Sequence, residues 1–246
     1  MTVGVGNSTA YWIQSLVTLN YPDFAFSNYH STLLIWALLV PATLVNITKF
    51  KLVPWIESVA GFFHIALWLV YSIVLLALAP KNSASFVFKS RVNSAETSGW
   101  TNDFIGWNLG LQTSVWAFVG FDAAVHLGEE VRRAPKTVPR IMFFTNVLNG
   151  LLAWLFALVI LFCMGDPAAA LEYQQPMLAV LLNATGNVKA ATAMGVGFVF
   201  ISVMAMVVNV ASVGRLTWSW ARDGGLPKWL AFVRAPFHLQ ESWYSC

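Results

Sequence analysis

The stretch Ala60-Gly61-Phe62-Phe63-His64-Ile65-Ala66-Leu67-Trp68-Leu69-Val70-Tyr71-Ser72-Ile73-Val74-Leu75-Leu76-Ala77-Leu78 decides the fold. It contains no Asp, Glu, Lys or Arg, and His64 is its one histidine. A helix rising about 1.5 Å per residue needs roughly 20 such residues to cross the hydrocarbon core of a bilayer. Pro54 suits the first turn of a helix and Pro80 ends one, so the span runs over about 54–79.

Five further stretches of the same kind lie to either side, at about 3–20, 30–48, 104–127, 141–164 and 188–217. The first is the least apolar, since it holds Asn7, Ser8, Thr9 and Gln14, and Tyr21-Pro22-Asp23 breaks it. The fold class that follows is all-α: a polytopic membrane protein of about six transmembrane helices. A polar stretch over 81–103, a charged connection from Glu129 to Arg140 and a looser loop over 165–186 separate the later spans. Residues 233–246 carry no pattern, so the chain divides into a transmembrane domain, 1–232, and a divergent C-terminal tail, 233–246.

Composition agrees. Hydrophobic residues make up 58% of the chain and charged residues 10%, with a mean hydropathy of +0.65. A soluble domain carries about 25% charged residues to cover its surface. The net charge of +3 does not point to nucleic acid, because the basic residues sit in short connections between apolar runs. Two cysteines, Cys163 within a span and Cys246 at the end, form neither a disulfide framework nor a zinc pattern. No charged n-region or cleavage site marks a signal peptide.

Lysine and arginine bias sets the orientation. Lys49 and Lys51, then Arg132, Arg133, Lys136 and Arg140, then Arg222 and Lys228 fall on one side, which the rule makes cytoplasmic. The opposite connections carry Lys81, Lys89 and Arg91, and then Lys189 alone. Trp12, Trp55, Trp100 and Trp229 fall near span ends, where tryptophans anchor at the interface or simply pack in the bundle.

Ionisable groups inside a span are costly and mark functional candidates. Asp122 lies in the second half of the fourth span, His126 near its end, and His64 midway along the third. Asp122 has two readings: a carboxylate hydrogen-bonded to a neighbouring helix, or one beside a helix break. Gly120 favours the break, because glycine lets backbone leave helical geometry. Freed backbone groups are tolerated in a membrane where they line a cavity, and half-helix ends there bind ligand charges. His64 has the plain alternative of a packing residue. No Ser-His-Asp grouping, paired carboxylates, metal cluster or phosphate loop is present, so no enzyme, catalytic residue, metal or cofactor is expected. The small residues of the sixth span, among them Gly195, Gly197 and Gly214, suit close helix packing.

Two motifs resemble one family. Phe118-Val119-Gly120-Phe121-Asp122-Ala123-Ala124-Val125-His126-Leu127-Gly128-Glu129-Glu130-Val131, followed by Val138-Pro139-Arg140, is similar to the loop and sixth helix of amino acid–polyamine–organocation permeases. It is nearest the fungal branch of amino acid, GABA and choline permeases. Arg215-Leu216-Thr217-Trp218-Ser219-Trp220-Ala221-Arg222-Asp223-Gly224-Gly225-Leu226-Pro227 resembles that family's motif after its eighth helix.

The resemblance implies a partial inverted-repeat (LeuT-like) transporter fold, in which the six spans correspond to helices three to eight. The fourth span would then be the broken sixth helix. Trp116, Ala117, Gly120, Phe121 and Asp122 would bind substrate there, with Trp116 capping it and backbone near Gly120 holding its polar end. Glu129, Glu130, Pro139 and Arg140 would form the cytoplasmic loop motif. His64 follows Glu57 by seven residues, where some proton-coupled bacterial relatives place a lysine, and would carry the coupling proton, since a histidine changes charge near neutral pH. The implied function is proton-coupled transport of an amino acid, GABA, choline or a similar amine across the plasma membrane, with an internal membrane as the alternative. Its partners would be that small molecule, protons and the lipid bilayer. Helices one, two and nine to twelve have no counterpart here, so a truncated form is expected. The rival expectation is a non-transporting scaffold or assembly subunit derived from a permease.

Overall fold

The computed structural model describes residues 2–90, 99–120, 125, 128, 131 and 133–231; of Trp116 it describes the backbone alone. The elements are α1 (Thr2–Asn20), α2 (Asn28–Thr48), α3 (Val53–Leu78), α4 (Ala84–Lys89), α5 (Asp103–Val115), α6 (Ala134–Cys163), α7 (Pro167–Leu171), α8 (Pro176–Thr185) and α9 (Val188–Arg222), with 3-10 turns at Phe50–Leu52, Trp116–Phe118 and Lys228–Ala231. No strand occurs among the described residues.

Among the described residues, four helical stretches are long and apolar enough to cross a membrane: Asn28–Thr48, Phe50–Leu78, Ala134–Cys163 and Val188–Arg222. The other two expected spans differ for physical reasons. Helix α1 runs 19 residues, but Asn7, Ser8, Thr9 and Gln14 dilute its hydropathy. The fourth stretch is interrupted: α5 ends at Val115 after 13 residues and gives way to the 3-10 turn.

Helix ends follow their local chemistry. Pro54 and Pro135 occupy the first turns of α3 and α6, where the missing N–H costs nothing. The Asn187 side chain caps α9 by accepting from the Lys189 N–H at 2.8 Å. Helix α9 continues five residues beyond the sequence-based limit of 217. Its 35 residues span about 52 Å, longer than a bilayer core, so its last turns carry Arg215 and Arg222. The loop expected over 165–186 is instead two helices. In α7 the Asp166 carboxylate caps the Ala168 N–H, and α8 starts at Pro176 and buries Leu178, Val180, Leu181 and Ala184. An apolar face about three turns too short to span was hidden there by its polar flanks.

The bundle centre is α9 packed on α1, α2 and α3. Association inside a bilayer gains little from hydrophobicity and depends on close packing and polar links. Both are present. Trp12 of α1 stacks on Phe198 of α9 with centroids 4.7 Å apart, and Phe198 stacks on Tyr71 of α3 at the same distance. Trp12 is therefore a packing residue, whereas Trp55 and Trp229 lie outward, 65% and 74% exposed. The Tyr71 hydroxyl donates to the Met194 carbonyl at 2.6 Å. Polar side chains tie α1 outward: Gln14 Nε2 donates to Ser31 Oγ at 2.7 Å, and Asn20 Nδ2 to Thr192 Oγ1 at 2.9 Å. Asn46 Nδ2 joins α2 to α9 by donating to the Val207 carbonyl at 2.9 Å.

Helix α6 joins through α3. Trp68 Nε1 donates to the Leu152 carbonyl at 3.3 Å. Beyond the α3 terminus, Lys81 Nζ donates to the carbonyls of Leu75 and Ala79, placing a positive charge at the helix's C-terminal end. Asn82 Nδ2 donates to Leu161 and Gly165, which clamps the ends of α3 and α6 together.

Candidate functional site

Helix α5 breaks off where the chain rests against α6. After Val115 the chain makes the 3-10 turn Trp116–Phe118, and Gly120 adopts φ +90°, a left-handed conformation that a residue with a Cβ avoids. The turn rests on the middle of α6. Asn149 Nδ2 donates to the Ala117 carbonyl, and the Phe118 ring lies against Gly150. A Cβ on Gly150 would stand 3.0 Å from Phe118 Cε1, so glycine is what admits the ring. Asn149 is half-way along the 30-residue α6, which puts the break at mid-span depth. Irregular backbone at that depth is tolerated where protein or a cavity covers it.

Of the sequence-derived site residues, Ala117 and Gly120 fall at this break, as does the Trp116 backbone. Phe121, Asp122, His126, Glu129 and Glu130 lie outside the described residues. Pro139 and Arg140 are exposed in the early turns of α6.

His64 is exposed, yet not on an unrelated face. Seven residues is nearly two helical turns, drifting only about 20°. Glu57, His64 and Tyr71 therefore share one stripe of α3. Tyr71 is 2% exposed under α9, and Glu57 is half-buried within electrostatic reach of Arg215. Arg215 itself lies over the Phe50 ring, 5.1 Å from its centroid. His64 thus occupies the uncovered middle of a stripe covered at both ends.

Asn149 and Gly150 were not among the sequence candidates. Their signal is an Asn-Gly pair between Leu148 and Leu151 inside an apolar span. A polar amide in that setting needs a partner, and the partner is the broken helix.

A shallow groove of about 390 Å³ lies elsewhere, between α1 and α9. Its walls are Ile13, Val17, Val196 and Val199, and its polar pair Asn20 and Thr192 hydrogen-bonds to itself. This groove offers a ligand no free polar group from that pair. Among the described residues, no group of three or more His, Cys, Asp or Glu side chains is placed to hold a metal ion.

The apolar spans, the absence of strands among the described residues and the mid-span helix break define the class: a polytopic, all-helical membrane protein. Residues 1–239 match the amino acid permease family, and the chain belongs to that family. It is 26% identical over 219 residues to a Macrophomina phaseolina protein provisionally named an amino acid/polyamine transporter, covering 88% of this chain and 48% of that protein. It is 26% identical to an uncharacterized amino-acid permease of Schizosaccharomyces pombe, with 91% of this chain and 39% of the relative covered. It is also 26% identical to the choline transporter of Saccharomyces cerevisiae, over 89% of this chain and 39% of that protein. The chain thus spans less than half the length of these curated relatives. No solved structure matches it.

Proposed function

We propose that the chain is the part of a permease corresponding to helices three to eight, and that the permease moves a small amine or amino acid across the plasma membrane. The observation that carries this reading is the break at Trp116–Gly120, seated half-way along α6. Secondary transporters hold substrate near the bilayer midplane on interrupted helices, whose exposed backbone groups meet the ligand's charges. Trp116, Ala117, Gly120, Phe121 and Asp122 are the substrate-binding residues in this reading. Relatives named for choline and for amino acids support a substrate with an amine nitrogen.

Transport is proton-driven in this reading, with His64 as the coupling group. Its exposed place between Glu57 and Tyr71, on a stripe covered at both ends, leaves the imidazole open to a proton. His64→Ala is expected to abolish the stimulation of uptake by an inward proton gradient while leaving exchange without a gradient. Uptake measured across a series of imposed gradients tests this; a gradient response equal to that of the unaltered chain removes His64 from the mechanism.

A further inference from the structure

We propose that Asn149, with Gly150 beside it, is the positioning residue that holds the broken helix in place and so sets the geometry of the site proposed above. The inference rests on that reading of the break, but its first observable does not.

Helix α5 buries none of its 13 residues. Among the described residues it continues into the turn Trp116–Phe118, and that turn packs on α6. Two groups of that attachment are explicit. Ala117 lies in the 3-10 turn, and its carbonyl accepts from Asn149 Nδ2. A side-chain donor that reaches a backbone acceptor at mid-bilayer depth links the turn to α6 and favours the conformation of the turn that keeps the bond. The second group is Gly150, whose bare Cα lets Phe118 approach. Together they fix the turn's rotation and its distance from α6. Trp116 precedes the held carbonyl by one residue and Gly120 follows it by three, so both inherit that setting. Asn149 touches backbone in this arrangement, and it acts on substrate through the turn.

Threonine and valine have the same shape, and only threonine keeps a hydroxyl donor. The experiment compares Asn149→Thr, Asn149→Val and the unaltered chain in lipid nanodiscs, by hydrogen–deuterium exchange of a peptide over 113–120. Exchange is expected to rise roughly three- to tenfold in Asn149→Val, to rise less in Asn149→Thr, and to stay constant in α3 in both. Equal exchange in the two variants overturns the proposal, as does unchanged exchange in Asn149→Val. A uniform rise that includes α3 signals general unfolding and also counts against it. Uptake by a full-length version separates this proposal from the site reading. A higher KM in both Trp116→Ala and Asn149→Val, with Asn149→Thr near the starting value, supports both. A higher KM in Trp116→Ala alone leaves the site and removes the positioning role. Loosened exchange with no KM change in either variant keeps the hold and removes the site.

Discussion

Replacing Gly197 by alanine should destabilise the bundle by about 1–3 kcal/mol, the cost of overpacking a filled core. A Cβ at Gly197 would stand 2.2 Å from the Tyr71 hydroxyl oxygen. That oxygen cannot easily retreat, since it donates to the Met194 carbonyl and its ring is stacked on Phe198. The contrast with two other glycines of α9 makes the claim specific. At Gly195 the obstacle, 2.5 Å away, is a Leu16 methyl at the end of a flexible side chain, so Gly195→Ala should cost less. At Gly214 nothing lies within 4 Å, so Gly214→Ala should be neutral or stabilising by up to about 1 kcal/mol. Removing the obstruction provides the decisive comparison. Tyr71→Phe alone forfeits an interhelical hydrogen bond of roughly 0.6–1.7 kcal/mol. In that background the nearest remaining atoms to the new Cβ are Leu67 methyls at 3.3 Å, so Gly197→Ala should become nearly free. SDS titration of the four forms in micelles gives the coupling, expected at about 1–2 kcal/mol. Additive effects would mean that Tyr71 does not close on Gly197.

The second large effect concerns the proposed substrate. Trp116→Ala removes the ring that would face an amine, a cation–π contact of up to about 2 kcal/mol when desolvated. That corresponds to roughly a thirtyfold rise in KM, since each 1.4 kcal/mol is tenfold. Asp122→Asn keeps the shape and removes the charge. For a quaternary amine such as choline, uptake should fall at least about tenfold. For a zwitterionic amino acid the substrate carries its own carboxylate, and the fall should be smaller. Competition assays with choline and GABA read both effects at once. Equal losses for the two substrates would assign Asp122 a structural bond to a neighbouring helix.

The sequence and structure agree most where one residue type has few alternatives. An apolar run such as Ala60–Leu78 has no stable place except a bilayer or a core, so four of the six expected spans were legible from length and composition. Pro54 likewise marked a helix start in advance, whereas Pro135, in the first turn of α6, lay inside what read as a charged connection. Helix α8 was not legible, because its ten residues are too short to show as a span and its burial depends on packing against α9. Position left Trp12 open to both readings, interfacial anchor or packing residue, and only the fold brings Phe198 to its face. At the candidate site, Gly120 signalled freedom of the backbone, which its φ of +90° uses. Asn149 gave no comparable signal of its role, because a donor is informative only once its acceptor is known. His64 shows the same limit: seven-residue spacing puts it on the stripe of Glu57 and Tyr71, but spacing does not say what covers it.

Uptake of labelled choline, GABA and amino acids by cells stripped of their own permeases tests the central claim most directly. The chain, a longer version carrying the residues encoded around it, and Trp116→Ala in each are compared with empty cells. The account predicts saturable uptake of at least one amine or amino acid by the longer version, sharply weakened by Trp116→Ala. Uptake indistinguishable from empty cells in every form, or saturable uptake that Trp116→Ala leaves untouched, would contradict it.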